Sequence, residues 1–131
     1  MAEVRVMRRA MIAEAARLGG SGCWICGHSP RRPWRTLPPE SSQLSVHEIH
    51  CGPGRSACLD KPFGLLVLCW HCNSDVVTDR RVWPEARQLA VLKQKNPAAF
   101  DLVAYNAMVN PWAPRRITPG EVDAFYGKAT A

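Results

Sequence analysis

The chain has 131 residues, of which 47% are hydrophobic and 21% charged, and its formal net charge is +6. This length predicts one compact domain, and the lack of any run of about 18 apolar residues argues against a membrane-spanning helix. No signal-peptide pattern follows the basic N-terminus, so we expect a cytoplasmic protein. The positive charge favours a polyanionic partner such as nucleic acid, although mildly basic proteins without such a partner are also common.

The first predicted element is a basic amphipathic helix within residues 1–20. Five apolar residues recur there at three- and four-residue steps: Val4, Met7, Met11, Ala15 and Leu18. Arginines occupy much of the remaining surface, and the glycine-rich run 19–22 ends the helix. The basic face suits either contact with solvent or contact with phosphate groups.

Two CxxC pairs indicate a metal site. The four cysteines are Cys23, Cys26, Cys69 and Cys72. Two such pairs are a strong sign of one tetrahedral zinc ion, and four thiolates leave no open coordination position, so we expect a structural Zn²⁺. The alternative is a set of unrelated or redox-active cysteines. Cys51 and Cys58 are predicted to be plain thiols, because a reducing compartment disfavours a disulfide; a second metal site is the other interpretation.

Arginines follow the first CxxC pair. Residues 28–39 contain four prolines, which exclude a regular helix or a central strand. Three arginines surround Trp34 in this loop, and another lies in a later turn. We expect these arginines to contact a nucleic-acid backbone: Arg31, Arg32, Arg35 and Arg55. The alternative is a surface loop whose Trp34 covers the zinc site.

A hairpin is predicted between the CxxC pairs. Residues 43–51 form its first strand and 65–68 its second, a short buried one, with a turn at 52–54. Alternation along the first strand would place Val46, Glu48 and His50 on one face. A helix of two turns or less is expected to begin near Cys72 or Asn73.

Three helices are predicted in a C-terminal extension, 81–131, that packs on the core. The first runs from Pro84 to about residue 95, and the second runs from a cap at Asn96 to about residue 109. The third opens with a capping box at 118–121. In the second helix the inward residues are expected to be Phe100, Val103, Ala104 and Ala107.

The order of these motifs resembles the HNH endonuclease family. The shared pattern is CxxC, a strand with a histidine-rich doublet, an apolar strand leading into CxxC, and a short polar helix, and it covers residues 22–79. The resemblance implies an α+β fold with a small zinc-braced ββα-metal core, treble-clef-like, over residues 21–80. It further implies hydrolysis of phosphodiester bonds in double-stranded DNA, with Mg²⁺ or Mn²⁺ as the catalytic ion, and a phage-encoded protein acting in the host cytoplasm fits the small size.

The resemblance assigns catalytic roles by position. His47 corresponds to a metal ligand and Glu48 to the general base. Asn73 stands where the family has its last metal-binding histidine, and an amide oxygen suits Mg²⁺. His50 is an alternative base, since an unperturbed imidazole pKa near 6.5 fits that task better than a carboxylate.

Two departures from the family pattern are visible. A glutamate occupies the base position, and Gly64 falls where an asparagine commonly orients the base; Asp60 or Asp75 could substitute. The sequence therefore predicts an HNH-like endonuclease or nickase. The alternative is a non-catalytic nucleic-acid-binding zinc protein that retains the scaffold, and a third interpretation is a protein-interaction module that uses its C-terminal helices.

Overall fold

The computed structural model describes residues 2–17, 22–27, 44–51, 57, 59–109 and 116–127, which form a mixed α+β structure. The helices are α1 (Ala2–Arg17), α2 (Glu85–Lys95), α3 (Leu102–Val109) and α4 (Pro119–Phe125), and the strands are β1 (Leu44–Glu48) and β2 (Leu65–Cys69). A 3₁₀ turn, Pro62–Gly64, precedes β2, and a π-helical turn, Cys72–Val76, lies after it. None of the described helices combines the length and apolar composition that crossing a bilayer requires.

The two strands pair antiparallel, as the sequence predicted. The register sets Leu44 opposite Cys69 and Glu48 opposite Leu65. All five residues of β2 are buried, which explains its uninterrupted apolar sequence. β1 is shorter than predicted because the chain bends at Ile49, directly after Glu48.

The sheet lies between two apolar clusters. On one face Leu65 and Val67 pack with Val46 and Ala15 of α1. On the other face Leu66 and Leu68 join a larger cluster that includes residues of α2, α3 and α4. Because successive side chains of a strand point to opposite faces, β2 contributes to both clusters. Its residues therefore connect the N-terminal helix to the C-terminal helices.

Polar contacts hold the C-terminal helices to one another. Lys93 of α2 donates a hydrogen bond to Asp123 of α4 at 2.6 Å. The buried amide of Asn106 in α3 donates to the Ile117 carbonyl at 2.8 Å and accepts from the Ile117 N–H at 3.0 Å. Asn106 thereby satisfies two backbone groups of the segment that leads into α4.

The prediction for the second C-terminal helix is wrong at its start and on its inward face. Asp101, not Asn96, caps α3, since its carboxylate accepts from the Ala104 N–H at 3.0 Å. The later start moves the apolar stripe to i, i+3, i+4 and i+7. Its buried members are Leu102, Tyr105, Asn106 and Val109. Val103 is instead 79% exposed and Ala107 is also exposed.

The other two helix starts agree more closely with the sequence. Pro84 is the residue just before α2 rather than its first member. Thr118 caps α4, and its hydroxyl oxygen accepts from the Glu121 N–H at 3.2 Å. This is one of the two hydrogen bonds of the predicted capping box.

Candidate functional site

The four cysteines of the CxxC pairs form one cluster. Their sulfur atoms all lie within 4.8 Å of one another, and Cys26 and Cys69 have sulfurs 3.9 Å apart. A tetrahedral zinc ion with Zn–S bonds of about 2.3 Å separates its sulfurs by about 3.8 Å. The cysteines are thus close enough to hold a metal such as zinc after small side-chain movements, as the sequence predicted.

Local backbone geometry builds the first half of this cluster. Residues 24–26 form a turn in which the Gly27 N–H donates to the Cys23 carbonyl at 3.0 Å. Gly27 has φ of +59° and Gly22 has φ of +82°, both in the region that favours glycine. The Trp24 N–H donates to the Val67 carbonyl at 2.9 Å, which fastens this turn to β2. Since β2 ends at Cys69, the second pair begins beside the first.

The crowding of the thiols resists their simultaneous ionisation. Hydrogen bonding from Cys26, Cys69 and Cys72 lowers the pKa of Cys23. The adjoining Cys23 sulfur then raises the pKa of both Cys69 and Cys72. A divalent cation supplies the charge that allows all four to ionise, which makes metal affinity and thiol deprotonation interdependent.

A cleft of about 330 Å³ adjoins the second CxxC pair. Among the residues that line it are all four predicted as catalytic, His47, Glu48, His50 and Asn73. The remaining lining residues are Val46, Cys51, Thr78 and Arg80. The structure therefore brings together side chains from β1, the bend after it and the π-helical turn, as the motif order required.

The imidazole of His47 is held between two amides. Its Nε2 lies 2.8 Å from the Oε1 of Gln88, and its Nδ1 lies 3.1 Å from the Oδ1 of Asn73. Gln88 donates through Nε2 to the Trp83 carbonyl at 2.9 Å, which fixes its oxygen toward the histidine. His47 Nε2 must then carry the proton and donate it. The lone pair of Nδ1 consequently faces Asn73.

With this orientation of the Asn73 amide, the lone pair of His47 Nδ1 faces a lone pair of Asn73 Oδ1, with no proton between them. Adjacent ligands of an octahedral ion at about 2.1 Å from each are about 3.0 Å apart, close to this spacing. Reversing the Asn73 amide also satisfies the contact, because Ser45, 2.9 Å from Nδ2, can donate as well as accept. Burial lowers the pKa of His47, with the charge of Arg80 acting in the same direction and the Gln88 hydrogen bond opposing it. The neutral imidazole is the form that binds metals.

His50 is buried and belongs to a chain of hydrogen-bonding groups. Its Nδ1 lies 3.0 Å from Glu85 Oε1, and Glu85 Oε2 accepts from the Tyr105 hydroxyl at 2.8 Å. A carboxylate on one ring nitrogen fixes the tautomer and orientation of a histidine. Strand alternation wrongly placed His50 with Glu48. The bend at Ile49 instead turns His50 toward α2, which His47 also contacts.

Glu48 faces α1. Its carboxylate accepts from Arg8 Nη1 at 3.2 Å, and Arg8 also donates to the Leu59 carbonyl through Nε and Nη2. The residue that occupies the family's base position thus joins the rim of the cleft to the first helix.

An aromatic ring lies beside Gly64, where the resemblance would place an asparagine. Gly64 is buried, and a Cβ added there would lie 3.7 Å from ring atoms of Tyr105. Asp60 and Asp75, the two candidates to replace that asparagine, are not among the residues that line the cleft. Asp60 pairs with Lys61 and Asp75 pairs with His71, each at 3.2 Å.

Sequence reasoning missed the residues that support the cleft from the C-terminal helices. Glu85, Gln88, Leu89 and Leu92 occur at i, i+3, i+4 and i+7 of one helical stripe. Two polar residues at the start of an otherwise apolar stripe were the available signal. Arg31, Arg32, Arg35, Arg55 and Cys58 lie outside the described residues, and Cys51 is exposed.

Comparisons with protein-family models, with curated proteins and with solved structures found no match to this chain. A functional assignment therefore depends on the chemistry of the cluster and the cleft.

Proposed function

We propose that this protein is an HNH-like, metal-dependent endonuclease or nickase of double-stranded DNA, braced by a structural zinc in the cysteine cluster. The observation that carries the proposal is the pairing of His47 Nδ1 with Asn73 Oδ1, 3.1 Å apart in a cleft that His50 also lines. The resemblance assigns His47 and Asn73 to metal binding, and His50 is the alternative to Glu48 as the general base.

His47 and Asn73 would hold a Mg²⁺ or Mn²⁺ ion. Gln88 supports this role, because it accepts the Nε2 proton and leaves Nδ1 as the ligand atom. Bound there, the ion polarises a phosphodiester and stabilises the leaving oxygen. The amide oxygen of Asn73 suits both metals, whereas the four sulfurs of the cluster suit zinc.

His50 fits the general base better than Glu48. Glu85 and Tyr105 orient its ring, while Glu48 is occupied by Arg8. In the HNH family an asparagine commonly orients the base, and here that position is Gly64. Tyr105 packs beside Gly64 and reaches His50 through Glu85. Residues of α2 and α3 would therefore orient His50 in place of an asparagine from the hairpin. His50 would accept a proton from the attacking water.

The test is nicking of a supercoiled plasmid with added Mg²⁺, with added Mn²⁺, or with neither ion. We expect metal-dependent nicking that falls by about 1,000-fold in the His47→Ala, Asn73→Ala double variant and by about 100-fold in His50→Ala.

His71→Ala is the matched control, since this histidine pairs with Asp75 and lies outside the cleft. Zinc content and the unfolding midpoint of each variant verify that it is folded. Wild-type protein that leaves the plasmid intact, or a double variant that nicks at the wild-type rate, refutes the nuclease.

One observation favours a second candidate, a non-catalytic nucleic-acid-binding zinc protein. The Glu48–Arg8 ion pair commits the residue at the family's base position to contact with α1. A gel-shift assay that shows strongly salt-dependent DNA binding, with no cleavage in either metal, would support this candidate over the nuclease.

A further inference from the structure

Arg80 is a residue of the cleft to which the motif pattern assigns no role. It lies between the π-helical turn and α2, and it lines the cleft together with His47, His50 and Asn73. One guanidinium nitrogen, Nη1, donates to the Ile49 carbonyl at 2.8 Å. This bond holds the side chain against the bend that directs His50 into the cleft.

The charge of Arg80 has no carboxylate partner in the part of the chain that the structure describes. A guanidinium carries five N–H donors, and the described residues provide one acceptor for them, the Ile49 carbonyl. The two nearby carboxylates have other partners: Arg8 holds Glu48, while His50 and Tyr105 hold Glu85. Arg80 thus leaves a positive charge on the wall of the cleft.

A positive charge at this place would favour an anion between it and an ion held by His47 and Asn73. A dication held by His47 and Asn73 and the guanidinium of Arg80 would repel each other across the cleft. A phosphodiester group would lessen that repulsion, and its non-bridging oxygens are acceptors for the guanidinium. Arginine suits this task, because its planar fork of donors matches phosphate geometry.

We propose that Arg80 binds a backbone phosphate of double-stranded DNA in the cleft. The inference deepens the proposed function and rests on it for the identity of the substrate. Arg80 acts as a substrate-binding residue whose bond to Ile49 sets the position of its free donors.

The experiment measures binding of a short DNA duplex without added Mg²⁺ or Mn²⁺, so that the result does not depend on cleavage and the zinc of the cluster is retained. We expect Arg80→Gln to weaken binding about tenfold and to reduce the slope of log affinity against log salt by about one. Arg80→Lys should recover part of the affinity, because it keeps the charge and loses the paired donors.

Arg81→Gln is the matched control. This substitution removes the same charge at the next position. The Arg81 side chain is 95% exposed and does not line the cleft. We expect its affinity to stay within about twofold of the wild type. Equal losses in Arg80→Gln and Arg81→Gln overturn the proposal, as does wild-type affinity in Arg80→Gln, or a wild-type protein that binds no duplex.

A purely structural role for Arg80 would appear in other measurements. If the residue only held the bend, Arg80→Gln would lower the unfolding midpoint and leave the affinity of the folded protein unchanged, which contradicts the proposal. Arg80-dependent binding without nicking in Mg²⁺ or Mn²⁺ would refute the nuclease and retain the phosphate site. Normal nicking by Arg80→Gln with wild-type affinity would refute the phosphate site and retain the nuclease.

Discussion

The cysteine cluster and the adjoining cleft are assembled in different ways. The cluster takes four identical side chains from two short turns, and β2 places one turn beside the other. The cleft takes its reactive side chains from the hairpin and the π-helical turn, but their orientation depends on Gln88, Glu85 and Tyr105 of distant helices. A thiolate cluster can therefore be recognised from spacing alone, whereas a hydrogen-bonded cleft needs the whole fold.

The largest expected effect is the loss of the cluster. Cys69→Ser removes one buried ligand of four, and we expect zinc to be lost with a destabilisation on the order of 5 kcal/mol or more, because metal binding and folding are linked. Metal analysis of the purified protein and thermal unfolding with and without a chelator measure both quantities.

Cys51→Ser is the corresponding control. Cys51 is an exposed cysteine outside the cluster, so its replacement should leave one zinc per chain and an unchanged midpoint. If both serine variants keep their zinc, the cluster is not a four-thiolate site.

The next effect concerns the support of the cleft. Gln88 is fully buried and satisfies both His47 and the Trp83 carbonyl, so Gln88→Ala leaves two polar groups without partners. We expect a loss of about 3 kcal/mol in the free energy of unfolding by urea.

Gln94→Ala on the same helix provides the contrast. The Gln94 side-chain oxygen is buried without a hydrogen bond in the described part of the chain, so its removal should cost about 0.5 kcal/mol or less. Similar losses for the two glutamines would show that Gln88 contributes helix packing alone.

A smaller effect is expected at the rim of the cleft. Arg8 is partly buried and holds both Glu48 and the Leu59 carbonyl, so Arg8→Ala should cost about 1.5 kcal/mol. A double-mutant cycle with Glu48→Gln isolates the ion pair, and strictly additive effects would exclude coupling. The exposed Arg17, paired with Glu14 on the same helix, should show no measurable change when replaced by alanine.

The smallest effect is expected from the end of the His50 chain. Tyr105→Phe keeps the ring beside Gly64 and removes the hydroxyl that donates to Glu85, so we expect a loss of about 1 kcal/mol or less by urea unfolding. Tyr126→Phe, at an exposed tyrosine, should leave stability unchanged. A loss above 3 kcal/mol in Tyr105→Phe would mean that Glu85 cannot hold its position alone.

The sequence predicted what local patterns determine. The CxxC spacing identified the cluster, the apolar run 65–68 identified β2, and Thr118 marked the start of α4. The cap at Thr118 and the apolar run of β2 are both properties of a few consecutive residues. The cluster could be recognised because its four ligands are identical. The composition of these segments is therefore enough to predict them.

The features that the sequence did not predict depend on contacts between distant residues. The side on which His50 lies follows from the bend at Ile49, which Arg80 holds from 31 positions further along the chain. The inward face of α3 follows from the cap at Asp101, which competes with the equally plausible Asn96. Tyr105 lies beside Gly64 and reaches His50 through Glu85, three contacts between residues far apart in the chain.

Cys72 of the cluster and Asn73 of the cleft are neighbours in the chain, joined by one peptide bond. Adjacent α-carbons are about 3.8 Å apart, so a sulfur of the cluster and an oxygen of the cleft share one short piece of backbone. If the cluster holds zinc as proposed, an oxidant or chelator that removes it would shift Asn73 as well. For the proposed zinc-braced nuclease, zinc supply would then limit the active fraction of the protein.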